Sequence, residues 1–391
     1  SHMKKLDPSL HPMDERTESV RAQLHALQEA YAKHDPESAS AFFTQYFSRT
    51  VPPAILGTST GEFFRGEAEV KSLLRDDWTD WGIVTLDVSG ARIGQKKEIA
   101  WFGMNGTVRQ TFSHNEGRYE RYLATVRGQL EDGSTPAPAR LACLNWLLAL
   151  TFHERDAGER VHEWPLQLSG VLVAEPGGWR FCFLHFALSS PPFPDERFEC
   201  DPAFEASHHA MSENMGQLTE VPQPDLLPQG EGFACWLTPF FGDNGNNNDG
   251  STHNSPIRIG TSGGIQTSNL EPLLNPEWIT GRTTLDTSHI YKECLGDYAW
   301  FACQGIHHME QDQQDAAEAA IRTLRHITGI GKPARETLFA VHRHLAAWWK
   351  ETAYGPGRTY PFRVTGIVER GSDPSAPSVQ LIHASCPSYW I

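Results

Sequence analysis

The residues best suited to acid–base chemistry stand directly beside tryptophans. Asp77 precedes Trp78, and Glu277 precedes Trp278. A carboxyl group held against indole rings has a raised pKa and can donate or accept a proton near neutral pH. We therefore expect Asp77 to be a catalytic acid or base, and the other three residues to contact a substrate. The alternative is that these carboxylates lie on the solvent-exposed side of a helix.

A second group of candidates lies on two stretches that match each other, EIAWFGMNGT at 98–107 and DYAWFACQGI at 297–306. Both are typical of strands, in which successive side chains point to opposite faces. One face is apolar and suits a packed layer. The other offers a tryptophan, an amide and a cationic or titratable group, as the wall of a pocket does. Its members are Trp101, Asn105, Arg109, Trp300, Gln304, His308 and Glu310.

Arg109 and His308 occupy the same position in the two stretches. An arginine there could hold a carboxylate or an enolate, and a histidine could move a proton near neutral pH. Asn105 or Arg109 could also stabilise negative charge that develops on a substrate. Tyr46, at the end of FFTQYF, adds a candidate phenol for the same pocket. In the alternative, Arg109 and His308 lie at the solvated end of a strand, and the tryptophans fill an ordinary core.

The matching strands belong to a longer internal repeat. ILGTS at 55–59 returns as RIGTS at 258–262, and LLRDDW before residue 79 returns as LLNPEW before residue 279. WPLQLSGVLVAE returns as YPFRVTGIVER, and without a gap this register aligns Ser189 with Ser385. A repeat of this length indicates two copies of one domain. We assign the first copy to 14–195, a connection to 196–232 that can include the first helix of the second copy, and the second copy to 233–391.

Periodicity assigns the elements within each copy. Apolar residues at helical spacing predict helices over 14–33 and 37–47, and a third helix that ends at Trp78. Runs rich in β-branched and aromatic residues, bounded by glycine turns, predict strands over 82–94, 98–112, 118–128, 162–175 and 178–189. Helices opened by proline follow at 138–154 and 333–352. Each copy is then an α+β unit, with helices followed by a mainly antiparallel sheet.

These motifs, in this order, resemble the SnoaL-like branch of the nuclear transport factor 2-like superfamily. The resemblance includes the closing hairpin GGWRFCFLHFALSSP, which has a weaker counterpart around His383. It implies two tandem cone-like domains, in each of which a curved sheet wraps a long helix and the tryptophan-bearing strand face looks into one open pocket. It also implies that the domains pair sheet to sheet. We therefore expect an intramolecular pseudo-dimer, with His185 and His383 at the paired interface.

Composition excludes several classes of function. The formal charge of −15 argues against nucleic acid and anionic membranes as partners, because both require clustered Lys and Arg. The longest apolar run, LACLNWLLALTF, is too short to cross a bilayer. The seven cysteines have no C-x-x-C spacing and suit a reduced, cytoplasmic protein. The histidine-rich segments lack zinc-binding spacing, and no phosphate loop or dinucleotide fingerprint appears, so we expect neither a metal nor an organic cofactor.

These observations predict an enzyme of small-molecule metabolism that transfers protons in an apolar pocket. Its reaction would be that of an isomerase, cyclase, hydratase or lyase on a hydrophobic metabolite, with Asp77 or His308 moving the proton. The alternative is a non-catalytic ligand-binding or scaffold protein whose inserted helices plug one or both cones. A third possibility is that one copy is active and the other supports it. We expect a monomer with an internal pseudo-dimer, and a further homodimer remains open.

Overall fold

The computed structural model describes residues 15–59, 61–112, 116–189, 226–241, 256–266, 272–274, 281–310, 312–353, 355, 357–373 and 375–387. The first unit runs through α1 (Glu15–Lys33), α2 (Ala39–Tyr46), β1 (Ala54–Leu56), β2 (Phe63–Arg65), α3 (Gly66–Asp80), β3 (Ile83–Leu86), β4 (Arg92–Lys96), β5 (Ile99–Phe112), α4 (Glu116–Glu131), α5 (Ala137–Ala157), β6 (Arg160–Glu175) and β7 (Gly178–Leu188). The second unit runs through α6 (Glu231–Leu237), β8 (Ile257–Ile259), β9 (Arg282–Leu295), β10 (Tyr298–Glu310), α7 (Gln313–Gly329), α8 (Ala334–Thr352), β11 (Gly357–Glu369) and β12 (Ser378–Ser385). Most of the predicted connection over 196–232 lies outside the described residues.

Each unit has one mainly antiparallel sheet of the same plan. The first sheet has the order β2-β1-β7-β6-β5-β3, with β4 also paired to β5, and the second has the order β8-β12-β11-β10-β9. In both, a short first strand runs parallel to the closing strand, β1 beside β7 and β8 beside β12. In both, a pair of helices interrupts the connection between two long paired strands, β5 and β6 in the first unit and β10 and β11 in the second. The α+β tandem expected from the sequence repeat is therefore confirmed.

The pairing of strands corrects the alignment of the closing hairpins. Ser169 and Thr365 are equivalent in the sequence match of β6 with β11. Ser169 pairs with His185, and Thr365 pairs with His383. His185 and His383 are therefore equivalent, and the ungapped register of the sequence is wrong by two residues in this hairpin. The reason is that the chain between β11 and β12 takes two more residues to reverse than the chain between β6 and β7.

Two predicted strands differ from the structure. Residues 118–128 belong to helix α4, in which Tyr122 and Val126 lie one turn apart and pack against a buried cluster that includes Trp146 of α5. Their aromatic and β-branched side chains favoured a strand, but packing against a neighbouring helix overrides that weak local preference. The predicted strand over 82–94 is two strands, β3 and β4, both of which pair with β5.

The apolar side chains divide among four clusters. One core fills the space between the first sheet and α1 to α3, and a second fills the corresponding space in the second unit. A third cluster, which we call the inter-sheet cluster, joins the outer faces of both sheets through pairs such as Trp101 with Tyr298 and Phe183 with Tyr291. A fourth joins α5 to α8. The inserted helices thus bury apolar side chains against each other in a cluster separate from the two cores.

Two histidines meet at the centre of the contact between the sheets. The rings of His185 and His383 lie 3.9 Å apart, and both residues are completely buried. Nδ1 of His185 lies 2.7 Å from Oγ1 of Thr365, and Nδ1 of His383 lies 2.6 Å from Oγ of Ser169. Equivalent residues therefore exchange equivalent contacts across the interface, as expected for two units related by an approximate two-fold axis.

None of the helices in the described ranges combines the length and the apolar character that a bilayer crossing requires.

Candidate functional site

Strand β5 turns the opposite face inward from the one expected. Ala100, Phe102 and Met104 belong to the first core, whereas Trp101 belongs to the inter-sheet cluster. The expectation that the tryptophan-bearing face looks into the cone is therefore wrong. Both faces of the first part of this strand, residues 99–104, are buried, because helices cover one and the other unit's sheet covers the opposite one. Alternation alone could not show which face of the strand lines the cone and which face contacts the other unit.

The remaining buried candidates, Trp300 and Gln304, also lie on the strand face that points away from the cone. Trp300 is completely buried in the inter-sheet cluster, and Gln304 is buried beside Arg363, its neighbour in the pairing of β10 with β11. Arg363 reaches into the first unit, where Nη1 donates to the carbonyl of Gly57 at 2.6 Å and Nη2 donates to that of Ser59 at 3.0 Å. These residues join the two units.

At the far ends of the strands the candidates reach solvent. Asn105, Arg109 and Glu310 are exposed. The His308 side chain is 43% exposed, and its Nε2 lies 3.9 Å from a carboxylate oxygen of Glu310. Arg109 therefore lies at a solvated position of its strand, which was the alternative to a role in a pocket. His308 lies beside a surface carboxylate. Glu277 and Trp278 lie outside the described residues.

Asp77 is brought into the first cone by the spacing of its helix. Val70, Leu73, Leu74 and Trp78 of α3 are all buried, and Asp77 lies on the same side of the helix, three residues after Leu74. Its side chain is half-buried, so the carboxyl group is enclosed without being sealed off. The alternative in which this carboxylate lies on the exposed side of a helix therefore fails for Asp77.

The partner of Asp77 is Tyr31 of α1, whose hydroxyl donates to Oδ2 of Asp77 at 2.7 Å. Tyr31 is the last member of a buried stripe on α1 that also contains Val20, Leu24 and Leu27. In the sequence this tyrosine is one of the apolar residues whose spacing predicts the helix over 14–33. The sequence does offer one signal for this pair. A hydroxyl group lies on the apolar face of one predicted helix, and a carboxylate lies on the apolar face of another.

Aromatic rings surround the hydrogen-bonded pair. Trp78 stands edge-on to Tyr31 at 5.6 Å and to Phe42 at 5.6 Å, and Phe186 lies 5.8 Å from Tyr31. Tyr46, a predicted contact, packs on Phe42 at 4.6 Å and is half-buried. Trp78 and Phe186 therefore pack around Tyr31, the hydrogen-bond partner of Asp77, and Phe42 and Tyr46 extend the aromatic layer behind Trp78.

This enclosure changes the acidity of both partners. Burial raises the pKa of Asp77 to about 8, against the opposing effect of the hydrogen bond from Tyr31, and the negative charges of Glu62 and Asp76 raise the pKa further. Burial and the neighbouring carboxyl group also raise the pKa of Tyr31 well above its ordinary value. At neutral pH Asp77 is mainly a neutral carboxylic acid, and it becomes a base within one pH unit.

A further donor lies in the same wall. Trp78 is 1% exposed, and its indole Nε1 makes no hydrogen bond to any of the residues that the structure describes. A buried donor without an acceptor is costly, so an unpaired N–H on a ring that packs against Tyr31 favours a polar ligand atom at this point. The arrangement can therefore donate a proton, take it back, and orient an oxygen-bearing substrate.

The second cone carries a different polar group. His307 takes the position that Val108 has in the first unit; it is completely buried, and its Nδ1 lies 2.9 Å from Oγ1 of Thr283. The candidate named from the sequence was the neighbouring His308, because His308 shares the strand face of Trp300. Among the described residues, no group of three or more His, Cys, Asp or Glu side chains is arranged to hold a metal ion.

Comparison with known proteins finds distant similarity to solved structures and no matching family. No family model matches the chain, and no curated protein matches it. Similar solved structures include a nuclear transport factor 2-like superfamily protein from Salmonella enterica, with 12% identity, a TM-score of 0.29, and 45% of this chain and 92% of its own covered. A protein with a cystatin-like fold from Caulobacter vibrioides has 13% identity and a TM-score of 0.29, with 48% and 97% covered. A ketosteroid isomerase-like protein from Erwinia carotovora has 12% identity and a TM-score of 0.25, with 46% and 100% covered. Each spans about half of this chain, and likeness at this level says nothing about activity.

Proposed function

We propose that the first unit is an enzyme that acts on a hydrophobic small molecule by general acid–base catalysis, without an organic cofactor. The observation that carries this proposal is the Asp77 carboxyl group, hydrogen-bonded to Tyr31, enclosed by aromatic rings and held at a pKa of about 8. Perturbed carboxyl groups of this kind concentrate at functional sites, because burial of an ionisable group lowers stability. The reaction class is that of an isomerase, cyclase, hydratase or lyase.

An elimination illustrates how these groups would act. Asp77 donates its proton to a departing hydroxyl group, which leaves as water. The carboxylate formed in this step takes a proton from the neighbouring carbon, so that the acid is restored and a carbon–carbon double bond remains. Tyr31 keeps donating to Oδ2 throughout and stabilises the carboxylate stage. An isomerisation would use the same two proton transfers between two carbons of one substrate.

The rest of the molecule supports the first cone in this proposal. We infer that the two units form an intramolecular pseudo-dimer. The inter-sheet cluster and the hydrogen bonds from Arg363 join them. We place the protein in the cytoplasm, which is supported by Cys182, Cys235 and Cys303, three cysteines that form no disulfide bond. The partners are then a small hydrophobic molecule and no nucleic acid or membrane.

Proton exchange tests the proposal without knowledge of the natural substrate. The protein is incubated in D₂O with 2-tetralone, an apolar ketone with acidic C–H bonds, and deuterium uptake is followed by NMR. We expect exchange with an apparent pKa near that of Asp77, and a loss of about 100-fold or more in Asp77→Asn. Asp80→Asn is the matched control, because Asp80 lies on the same helix, is exposed, and does not contribute to the raised pKa of Asp77.

The outcomes separate the enzyme from its rivals. Exchange that persists in Asp77→Asn would overturn the role of this carboxyl group. Saturable binding of the ketone without exchange in the wild type would favour the alternative, a ligand-binding protein. Absence of both would favour a scaffold.

A further inference from the structure

The exposed apolar side chains are concentrated on the inserted helices. Twelve large apolar residues are exposed within the described ranges, and ten of them lie on α4, α5, α7 or α8 or at their ends. Single exposed apolar residues are common on protein surfaces, but a concentration on one layer marks an interaction surface. The strands and cone helices of both units have almost none.

The two units repeat the same exposed pattern. On α5 and on α8, three large side chains are spaced i, i+7 and i+11, which aligns them in one stripe along the helix. Corresponding members are 197 residues apart in the sequence. We call them the paired stripes; they are Leu141 (57% exposed), Leu148 (50%) and Phe152 (48%) on α5, and Leu338 (66%), Leu345 (43%) and Trp349 (41%) on α8.

The helices that carry the stripes already contact each other. Nε2 of His153 on α5 lies 3.1 Å from Nδ1 of His342 on α8, and Nζ of Lys350 lies over the ring of Trp146 at 4.5 Å. Along α5, His153 comes after Trp146, whereas along α8 its partner His342 comes before Lys350. The two helices are therefore antiparallel. An approximate two-fold axis between them leaves the stripes on the same side of the pair. The apolar surface is therefore carried by the same two helices that contact each other between the units.

Charge indicates what can cover this surface. By sequence, α5 has two basic and two acidic residues, for a net charge of 0, and α8 has three basic and two acidic residues, for a net charge of +1. The whole chain has a formal charge of −15. An anionic membrane requires a cluster of basic residues, which these helices lack. A second copy of this chain is repelled by most of the surface but not by this nearly neutral, apolar part.

We propose that the paired stripes form the interface through which two copies of the chain associate, with α5 and α8 of one copy against those of the other. The surface has internal two-fold symmetry, so it can be complementary to itself. Six half-exposed side chains of this size present roughly 500 Å² per copy, at the upper end of what monomers expose. Two such surfaces bury about 1,000 Å², the lower limit for a specific interface.

Sedimentation equilibrium of the full chain tests the proposal. We expect twice the mass of one chain at micromolar concentrations. Leu148→Glu combined with Leu345→Glu should weaken association by at least about 100-fold, because each copy would bury two charges in an apolar contact. Ile83→Glu is the matched control, since Ile83 is 46% exposed on β3, away from these helices, and should leave the mass unchanged.

Circular dichroism confirms that each variant is folded, and Leu141→Ser with Leu338→Ser is the milder pair if the glutamates disturb the helices. A wild-type monomer at all concentrations would overturn the proposal, as would a double variant that remains a dimer. Cosedimentation of the monomeric wild type with vesicles of phosphatidylcholine and phosphatidylserine, lost in the double variant, would assign the surface to a membrane instead. None of these outcomes depends on the proposed activity.

Discussion

Replacing Asp77 with asparagine should make the protein more stable at neutral pH while removing its proposed activity. The carboxyl group has a pKa of about 8 in the folded protein, against an ordinary value of 3.8. The folded state therefore binds this proton more tightly than the unfolded state does. Stability contributed by the protonated group is fully present below pH 4 and is lost as the pH rises from 4 to 8.

The size of the effect follows from the same two values. Each pH unit in this window removes about 1.4 kcal/mol, so wild-type protein at pH 7 has lost about 4 kcal/mol relative to pH 4. Asparagine has no charge to bury and can still accept the hydrogen bond from Tyr31. We expect the free energy of unfolding of Asp77→Asn to exceed that of the wild type by up to this amount at pH 7.

Urea unfolding of wild type, Asp77→Asn and the control Asp80→Asn between pH 4 and pH 9 measures the difference. The advantage of Asp77→Asn should be small at pH 4 and grow steadily to pH 8. An advantage that does not depend on pH, or a wild-type stability that increases over this window relative to the variant, would refute the reasoning. Either result would show that Asp77 is ionised at neutral pH.

The remaining predictions concern Tyr31 and the pair of histidines between the sheets. Tyr31→Phe removes the hydrogen bond that lowers the pKa of Asp77, so this pKa should rise above 8, as measured by NMR titration of the carboxyl carbon. Burial lowers the pKa of His383 to about 3. A depressed pKa contributes stability above pH 6.5 that is lost as the pH falls towards 3, at about 1.4 kcal/mol per pH unit; His383→Asn should make acid unfolding measurably less steep. Nε2 of His383 makes no hydrogen bond to the described residues, because Ala187 occupies the place that Ser385 has in the other unit. Ala187→Ser should supply the partner and stabilise by about 1 kcal/mol in urea unfolding, while Ser385→Ala should destabilise by a similar amount; a loss of stability in Ala187→Ser would mean that the hydroxyl does not fit.

The duplicated plan could be predicted from the sequence, since matching motifs recur in the same order and each copy carries its own strands and helices. The candidate carboxyl group was named from the sequence, because Asp77 stands beside Trp78. The sequence left open on which side of the helix it lies, and the structure places it three residues after the buried Leu74. Both results depend on relations between residues that are close in the chain, where helix and strand geometry fix the neighbours.

Tertiary structure decided which partners these residues meet. Tyr31 is 46 residues from Asp77, and no local pattern connects them. Trp101 and Trp300 point between the sheets because a second apolar sheet covers the face that an isolated cone would leave open. Sequence alternation determined that each strand has two distinct faces; packing between segments far apart in the chain decided which face encloses the cone and which joins the two units.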